Sequence, residues 1–454
     1  MRTLRFLRPF ALHRDASRRV LALATPVVLG SLSYTLLSVV DTAMVGRLGA
    51  VALAATGVAG VLVFAVLYAL GGMSVGVQAL VARRFGEQDP RKCGEVLRSG
   101  LAVAILFGIP FVAAAPWIAR FSAPLLSPDP EVAALGGVYL HNRFFGAAFS
   151  FLSWVYAAFF AGIGRTRHQL VSSILVTAVN ITLDYLLIFG RGGFPTLGVA
   201  GAAIATNVAI AVGVAYYVVI TLLPEYRRTY APYRAPRSVG RWIRPLFRLS
   251  LPVHAQRALS HGSWFAFFLV TSRIGTLELA ATNVMRSIYS LSIMLAVGMG
   301  TASAALVGQS LGARRPEDAE RLASEAVKLA AYVMGAVGIV FIAAPQWMFR
   351  IYTSDPAVIA VGRTPLFYLG FVQALAGVAL VLSQTLQGAG NTRFTLAVEL
   401  VVCLGLYLPL AFFLGLRSRL GLVGAWTAEY AYWLALATIM ATQFRRGTWK
   451  TIRI

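Results

Sequence analysis

The chain has 454 residues, of which 58% are hydrophobic and 13% charged, with a formal net charge of +23. Average soluble chains carry about 25% charged residues, so this composition, with a mean hydropathy of +0.74, excludes a water-soluble globular protein. Arg supplies 37 of the 40 basic residues, mostly in short clusters between apolar runs. That pattern is a membrane-orientation signal and argues against a nucleic-acid partner.

Most apolar runs are about 20 residues or longer, enough to cross ~30 Å of hydrocarbon. Twelve helices are expected, near residues 20–46, 51–82, 95–119, 132–163, 169–190, 197–223, 246–272, 277–309, 322–344, 357–387, 393–415 and 419–442. The basic residues 1–19 are followed by an apolar run too long for a signal-peptide core, so no cleavable signal is expected. With the N-terminus inside, the inner connections hold 28 Lys and Arg and the outer ones eight. Both termini are therefore expected in the cytoplasm. The reading is an all-α polytopic protein of the cytoplasmic (inner) membrane.

The longest polar connection, Pro224–Arg248, lies midway. The expected organisation is an N-terminal lobe at 1–223, a cytoplasmic linker at 224–245 and a C-terminal lobe at 246–454. An internal repeat supports it. An offset of 226 carries Pro26 onto Pro252, Arg47-Leu48-Gly49 onto Arg273-Ile274-Gly275, and Ala54-Ala55-Thr56 onto Ala280-Ala281-Thr282. It also pairs Gly86 with Gly312, Pro90 with Pro316, and Gly162-x-Gly164-x-Thr166-Arg167 with Gly388-x-Gly390-x-Thr392-Arg393. After a three-residue slip, Leu197-Gly198 meets Leu420-Gly421. Six helices per unit is an even number, so the repeats are parallel. Transporters built this way place a site between lobes that rock.

An ionisable group inside a membrane span costs a few kcal/mol and marks a pathway by default. Four acids fall well inside the expected spans: Asp41, Asp184, Glu399 and Glu429. Asp41 aligns with Phe267 and Asp184 with an apolar stretch, so these two belong to the first lobe alone. At 1.5 Å per residue, Asp41 and Asp184 both lie roughly 8–9 Å below the outer boundary. Asn180 shares the helical face of Asp184, and Thr206 lies at a comparable depth. These oxygens suit a shared proton or a hard cation such as Na⁺, for which Asp41, Asn180 and Asp184 would be the ligands.

Glu429 aligns with Thr206 and serves a related role, or pairs with Arg257 or Arg286. Glu399 reads as a snorkelling or inter-helix polar group. Tyr34, Tyr68, Phe144, Phe149, Trp154, Tyr289 and Glu429 are candidates to line a cavity for flat lipophilic cations, or are packing residues. His254 and His261 share a helix face without the carboxylates a metal site needs. Cys93 and Cys403 show neither metal nor disulfide spacing. No hydrolase, zinc or phosphate-loop motif is present, so no enzyme activity and no cofactor are expected.

Asp41-Thr42-x-Met44-Val45-Gly46-x-Leu48-Gly49, Gly86-x-x-Asp89-Pro90, Gly162-x-Gly164-x-Thr166-Arg167 and Asn180-x-x-x-Asp184 together resemble the multidrug and toxic compound extrusion (MATE) family. Within it the chain resembles the branch related to DNA-damage-inducible protein F. The resemblance implies twelve helices in two lobes around a V-shaped cavity, and multidrug efflux of cationic, amphiphilic xenobiotics against inflow of H⁺ or Na⁺. It places the coupling cation at Asp41, Asn180 and Asp184, to which Thr206 is added, and implies bending of the first helix at Pro26. It also implies a monomer with small-molecule and lipid partners. A flippase for a lipid-linked or anionic amphiphile is the rival, kept open by Arg143, Arg257 and Arg286.

Overall fold

The computed structural model describes residues 12–234 and 239–454. The first part of the basic N-terminus and part of the expected linker lie outside them. By packing, the chain forms two compact units: Leu29–Ser250, and the residues up to Val28 together with Leu251–Ile454.

In order along the chain run α1 (Arg14–Gly46), α2 (Ala50–Leu70), α3 (Met73–Gly86), α4 (Pro90–Leu126), α5 (Pro130–Phe145), α6 (Ala147–Gly162), α7 (Arg167–Phe189) and α8 (Gly198–Leu222). A short α9 (Pro224–Tyr230) precedes α10 (Val239–Ile274), α11 (Thr276–Gly312), α12 (Pro316–Ala343), α13 (Pro345–Arg350) and α14 (Pro356–Gly388). Then α15 (Thr392–Val402) and α16 (Leu408–Phe412) are followed by π-helical turns at Cys403–Tyr407 and Phe413–Arg417, and α17 (Gly421–Arg446) closes the bundle. Among the described residues there is no strand.

Among the described residues nine spans are long and apolar enough to cross a membrane, with α2 and α3 taken together and α15 through the second π-helical turn taken together, or ten if the bent pair α5 and α6 also counts as one. The remaining two of the expected twelve are α10 and α17, at 36 and 26 residues. Both are long enough, but α10 carries His254, Gln256, Arg257 and His261, and α17 carries Glu429 among Tyr and Trp. Such polar side chains lower hydropathy while being satisfied by neighbouring helices.

The repeat recurs in the backbone. Gln88 and Arg314, 226 residues apart, both take a left-handed φ, at 61° and 57°. Gly164 and Gly390 do the same at 75° and 97°, and Gly198 and Gly421 share a φ of 53°. The turns joining the helices are thus duplicated along with the sequence. The spans are not. The second and fourth spans break at Gly71-Gly72 and at Gly146, where their counterparts α11 and α14 run unbroken for 37 and 33 residues. The repeat places Val297 and Val372 opposite Gly71 and Gly146. Glycine tolerates the departure from helical geometry that a β-branched residue resists.

The Gly86-x-x-Asp89-Pro90 motif is a helix start. Pro90 occupies the first turn of α4, where its missing N–H costs nothing. Asp89 caps the helix, accepting from the Lys92 N–H at 3.1 Å and pairing with Lys92 Nζ at 2.7 Å. The Lys92 hydrogen bond holds the Asp89 carboxyl below the ordinary carboxylate range. Its contribution is therefore fully present above pH ~4, the ordinary Asp value, and is lost as pH falls through the lowered folded value. Asp89→Ala is expected to cost about 1 kcal/mol at neutral pH, with the difference from wild type closing in acid. Thermal melts over a pH series check this.

The larger apolar core lies in the unit containing α10 to α17, around Phe267, Phe341, Trp426, Phe444 and Trp449.

Candidate functional site

Within the unit Leu29–Ser250, the second half of α1 docks on α7 and α8. Leu37, Val176 and Ala209 form a buried apolar cluster. The Thr177 hydroxyl donates to the Ser33 carbonyl at 3.1 Å and fixes the register of α1 against α7. One helical turn from each member of the cluster lies a polar residue. Leu37 leads to Asp41, Val176 to Asn180 and then Asp184, and Ala209 back to Thr206 on the oppositely directed α8. Residues three and four apart share a helix face, so the apolar floor aims all four polar groups at one place.

Asn180 and Asp184 are fully buried, and Asp41 and Thr206 are half-buried. With its amide turned to satisfy both ends, Asn180 donates to Asp184 Oδ2 at 3.0 Å and accepts from the Thr206 backbone N–H at 3.3 Å. The Thr206 hydroxyl donates to the Ala202 carbonyl at 2.9 Å. Asp41 and Asp184 lie close enough to act on each other's charge. Each keeps one buried oxygen, Oδ1, that meets no hydrogen-bond donor in the protein. A buried carboxylate oxygen without a donor is costly, so the pair is chemically incomplete and suits a proton or a small cation.

The structure adds three residues to the site. Arg143 on α5 acts electrostatically on Asp41, and Tyr139, one turn earlier, is hydrogen-bonded to Arg143 and lies within electrostatic range of both carboxylates. Arg143 donates to Asn207 Oδ1, and Asn207 Nδ2 donates to the Asn142 carbonyl at 2.5 Å. Asn207 packs against Gly146, where α5 and α6 bend by 47°. A Cβ on Gly146 would lie 2.1 Å from the Asn207 side chain. Two ionised acids and one arginine leave the cluster with one net negative charge, one positive charge short of neutrality. The spacing Tyr139-x-x-x-Arg143 on one helix face was the available sequence signal.

The other candidates are dispersed. Tyr34 and Phe149 are exposed, and Tyr68 and Trp154 are half-buried against Phe64 and Phe151. Phe144 is core. Tyr289 and Glu429 are 5% and 2% exposed inside the packed interior of their unit, so neither lines an open surface there. Glu429 forms no ion pair with Arg257 or Arg286 among the described residues; Arg286 lies over the Phe268 ring instead. Glu399 does not snorkel: it is buried and hydrogen-bonded between helices. Phe267, the repeat counterpart of Asp41, is fully buried and stacked on Tyr407. The His261 ring meets the Arg257 carbonyl, and no cluster of three or more His, Cys, Asp or Glu that could hold a metal occurs among the described residues. Pro26 lies inside the continuous α1, two residues before the chain passes between units at Val28.

The family model MatE matches residues 26–186 and again 252–413, two copies whose starts lie 226 residues apart. The chain belongs to the MatE family. It is therefore a multi-pass membrane protein of a transporter family. Among MatE relatives, a probable multidrug resistance protein NorM from Bradyrhizobium diazoefficiens is 28% identical over 95% of this chain and 93% of its own. The multidrug resistance protein NorM of Burkholderia vietnamiensis is 29% identical over 94% and 93%. Among solved structures, a MOP superfamily transporter from Pyrococcus furiosus, described as having a binding pocket of reversed polarity, superposes with a TM-score of 0.87 at 21% identity, covering 100% and 99% of the two chains. A multidrug resistance MATE family transporter in an outward-facing conformation gives a TM-score of 0.87 at 22% identity over the same shares. At these identities the structures establish the MatE fold.

Proposed function

We propose that this protein is a multidrug exporter of the cytoplasmic membrane that expels cationic, amphiphilic molecules in exchange for inward movement of H⁺ or Na⁺. The observation that carries the reading is the Asp41/Asp184 pair, each with a buried oxygen lacking a donor. Asn180 and Thr206 orient Asp184, and Arg143 sets the cluster to accept one positive charge. Exchange follows alternating access, with α1 bending at Pro26. A proline interior to a helix lacks the N–H that would close its turn, so the second half of α1 can tilt and carry Asp41 with it. Acids restricted to the first lobe favour the branch related to DNA-damage-inducible protein F; α10 contains no acid and α11 only Glu278. The protein acts as a monomer without a cofactor.

The test is transport in proteoliposomes loaded with a lipophilic fluorescent cation, under a pH gradient or a Na⁺ gradient imposed separately. Movement under one gradient alone names the coupling ion. Movement under neither overturns antiport.

One observation favours a second reading, a flippase or exporter for a lipid-linked or anionic amphiphile: Arg143 places a positive charge beside the acids. Scrambling of a labelled anionic lipid by the same proteoliposomes, with no movement of the cation, would establish it.

A further inference from the structure

The unit holding α10 to α17 contains three buried acids that the Asp41/Asp184 site does not use; Glu325 is paired with Lys328 at 3.0 Å, which leaves two. Glu429 on α17 and Glu399 on α15 are each 2% exposed. Neither forms an ion pair among the described residues, and the charged group acting on Glu429 is Glu399. Two carboxylates facing each other in a dry interior without a counter-cation cannot both stay ionised cheaply.

Their surroundings differ in kind. Glu399 accepts from Ser260 Oγ at 2.7 Å, from the Tyr432 hydroxyl at 3.1 and 3.2 Å, from Gln256 Nε2 at 3.4 Å and from Cys403 Sγ at 3.3 Å. Gln256 cannot turn its oxygen toward Glu399, because that oxygen accepts from Gln387 Nε2 at 3.0 Å and Thr395 Oγ1 at 3.2 Å. The Gln256 amide is thus fixed as a donor to Glu399 and favours the ionised carboxylate, whereas the Ser260 and Tyr432 hydroxyls can serve either form.

Glu429 accepts one well-formed hydrogen bond, from Trp433 Nε1 at 2.8 Å. The hydroxyls of Tyr289, from α11, and Tyr407, from the first π-helical turn, face it. Both are more than nine-tenths buried, and neither completes a hydrogen bond. A hydroxyl can donate to a carboxylate or, by rotating, accept from a protonated one, whereas an indole N–H can only donate. Aromatic rings close the chamber. Phe267 packs on Tyr407 and Trp426, and Tyr289 packs on Trp433.

We propose that this chamber is a second proton-binding site, in which Glu429 takes up and releases one proton, bonded to the hydroxyl of Tyr289 or Tyr407. Uptake adds a single proton to a Glu429 oxygen and removes one negative charge from the pair. The titratable groups facing the pair are Tyr289 from α11, Cys403 and Tyr407 from the π-helical turn, and Tyr430 and Tyr432 from α17, the Tyr430 hydroxyl being spent on the Pro365 carbonyl at 2.7 Å. A metal ion fits poorly, since the Trp433 N–H presents its positive end to the same carboxylate. The site lies within one unit and goes beyond the assignment of the coupling cation to Asp41 and Asp184.

The test is pH-difference infrared spectroscopy on full-length protein in lipid nanodiscs. In an Asp41→Asn/Asp184→Asn background, one buried protonated-carboxyl band is expected to titrate. Adding Glu429→Gln should remove it. Tyr289→Phe and Tyr407→Phe should shift its frequency without removing it, which a folding defect would not do. Absence of the band in that background, or its survival after Glu429→Gln, overturns the proposal. So does its displacement by NaCl, but not choline chloride, at fixed pH, which would make the site a metal-cation site. Failure of the coupling assignment is read separately, from Asp41→Asn alone.

Discussion

Asp184→Asn is expected to reduce gradient-driven export to the level of empty liposomes, and Asp41→Asn to do the same. A ligand shifts a conformational equilibrium only through its different affinity for the two states. A carrier that no longer binds its coupling cation has nothing with which to tie substrate export to the gradient. Asparagine keeps the size of aspartate and a hydrogen-bonding oxygen, so the fold should survive; normal membrane yield and an unchanged melting temperature would establish that. Asn180→Ala should act more mildly. It removes a 3.0 Å hydrogen bond to Asp184, and hydrogen bonds to charged groups contribute about 1.5–3 kcal/mol, so apparent cation affinity should fall roughly tenfold or more. Export at wild-type rate by both folded aspartate variants would remove these residues from the coupling site.

Gly94→Leu is expected to release α9 from the rest of its unit and expose it to protease. A Cβ at Gly94 would sit 1.8 Å from the Tyr230 carbonyl oxygen. The obstacle is backbone, so no rotamer change relieves it. Around that contact the segment is tightly fastened. His168 joins the Tyr216 and Tyr226 hydroxyls, each at 2.9 Å. The Tyr233 hydroxyl meets those of Tyr156 at 2.9 Å and Thr221 at 2.7 Å. Tyr226 is buried, and burial pushes the Tyr230 hydroxyl up to about 12. Burial of an aromatic side chain contributes about 1.5–3 kcal/mol to the docked state, so a variant that loses this seat should populate the detached state at least about tenfold more. Limited trypsin digestion at the exposed Arg227 and Arg228 reads this directly. An unchanged cleavage rate would show that α9 is held by something other than its seat on α4. Tyr226→Phe, which deletes only the hydroxyl bond to His168, should give a smaller increase.

The same segment shows where reading the chain alone reached its limit. Pro224–Arg248 is rich in Arg, Tyr and Pro and reads as a polar connection. Its tyrosines instead dock on α4 and on the ends of α7 and α8. Nothing local to the segment announces this, because key parts of the receiving surface, His168 and Tyr156, lie more than 50 positions away. The breaks at Gly71-Gly72 and Gly146 are of the same kind. Glycine permits a break, but only the neighbour that fills the space, Asn207 at Gly146, decides that one occurs.

Membrane class, helix content, the duplication and the Asp41–Asn180–Asp184–Thr206 grouping were determined by sequence alone. Each rests on periodicity, run length or the cost of a charge in hydrocarbon, which are local properties of the chain. The tertiary structure alone decided that Arg143, Tyr139 and Asn207 lie beside the acids, because they sit on α5 and α8 and only packing brings these helices to Asp41 on α1. It also decided that Glu399 and Glu429 share one sealed interior. Glu399 and Glu429, on helices adjacent in sequence, come to share a polar interior only when Tyr289 and Tyr407 are packed beside them.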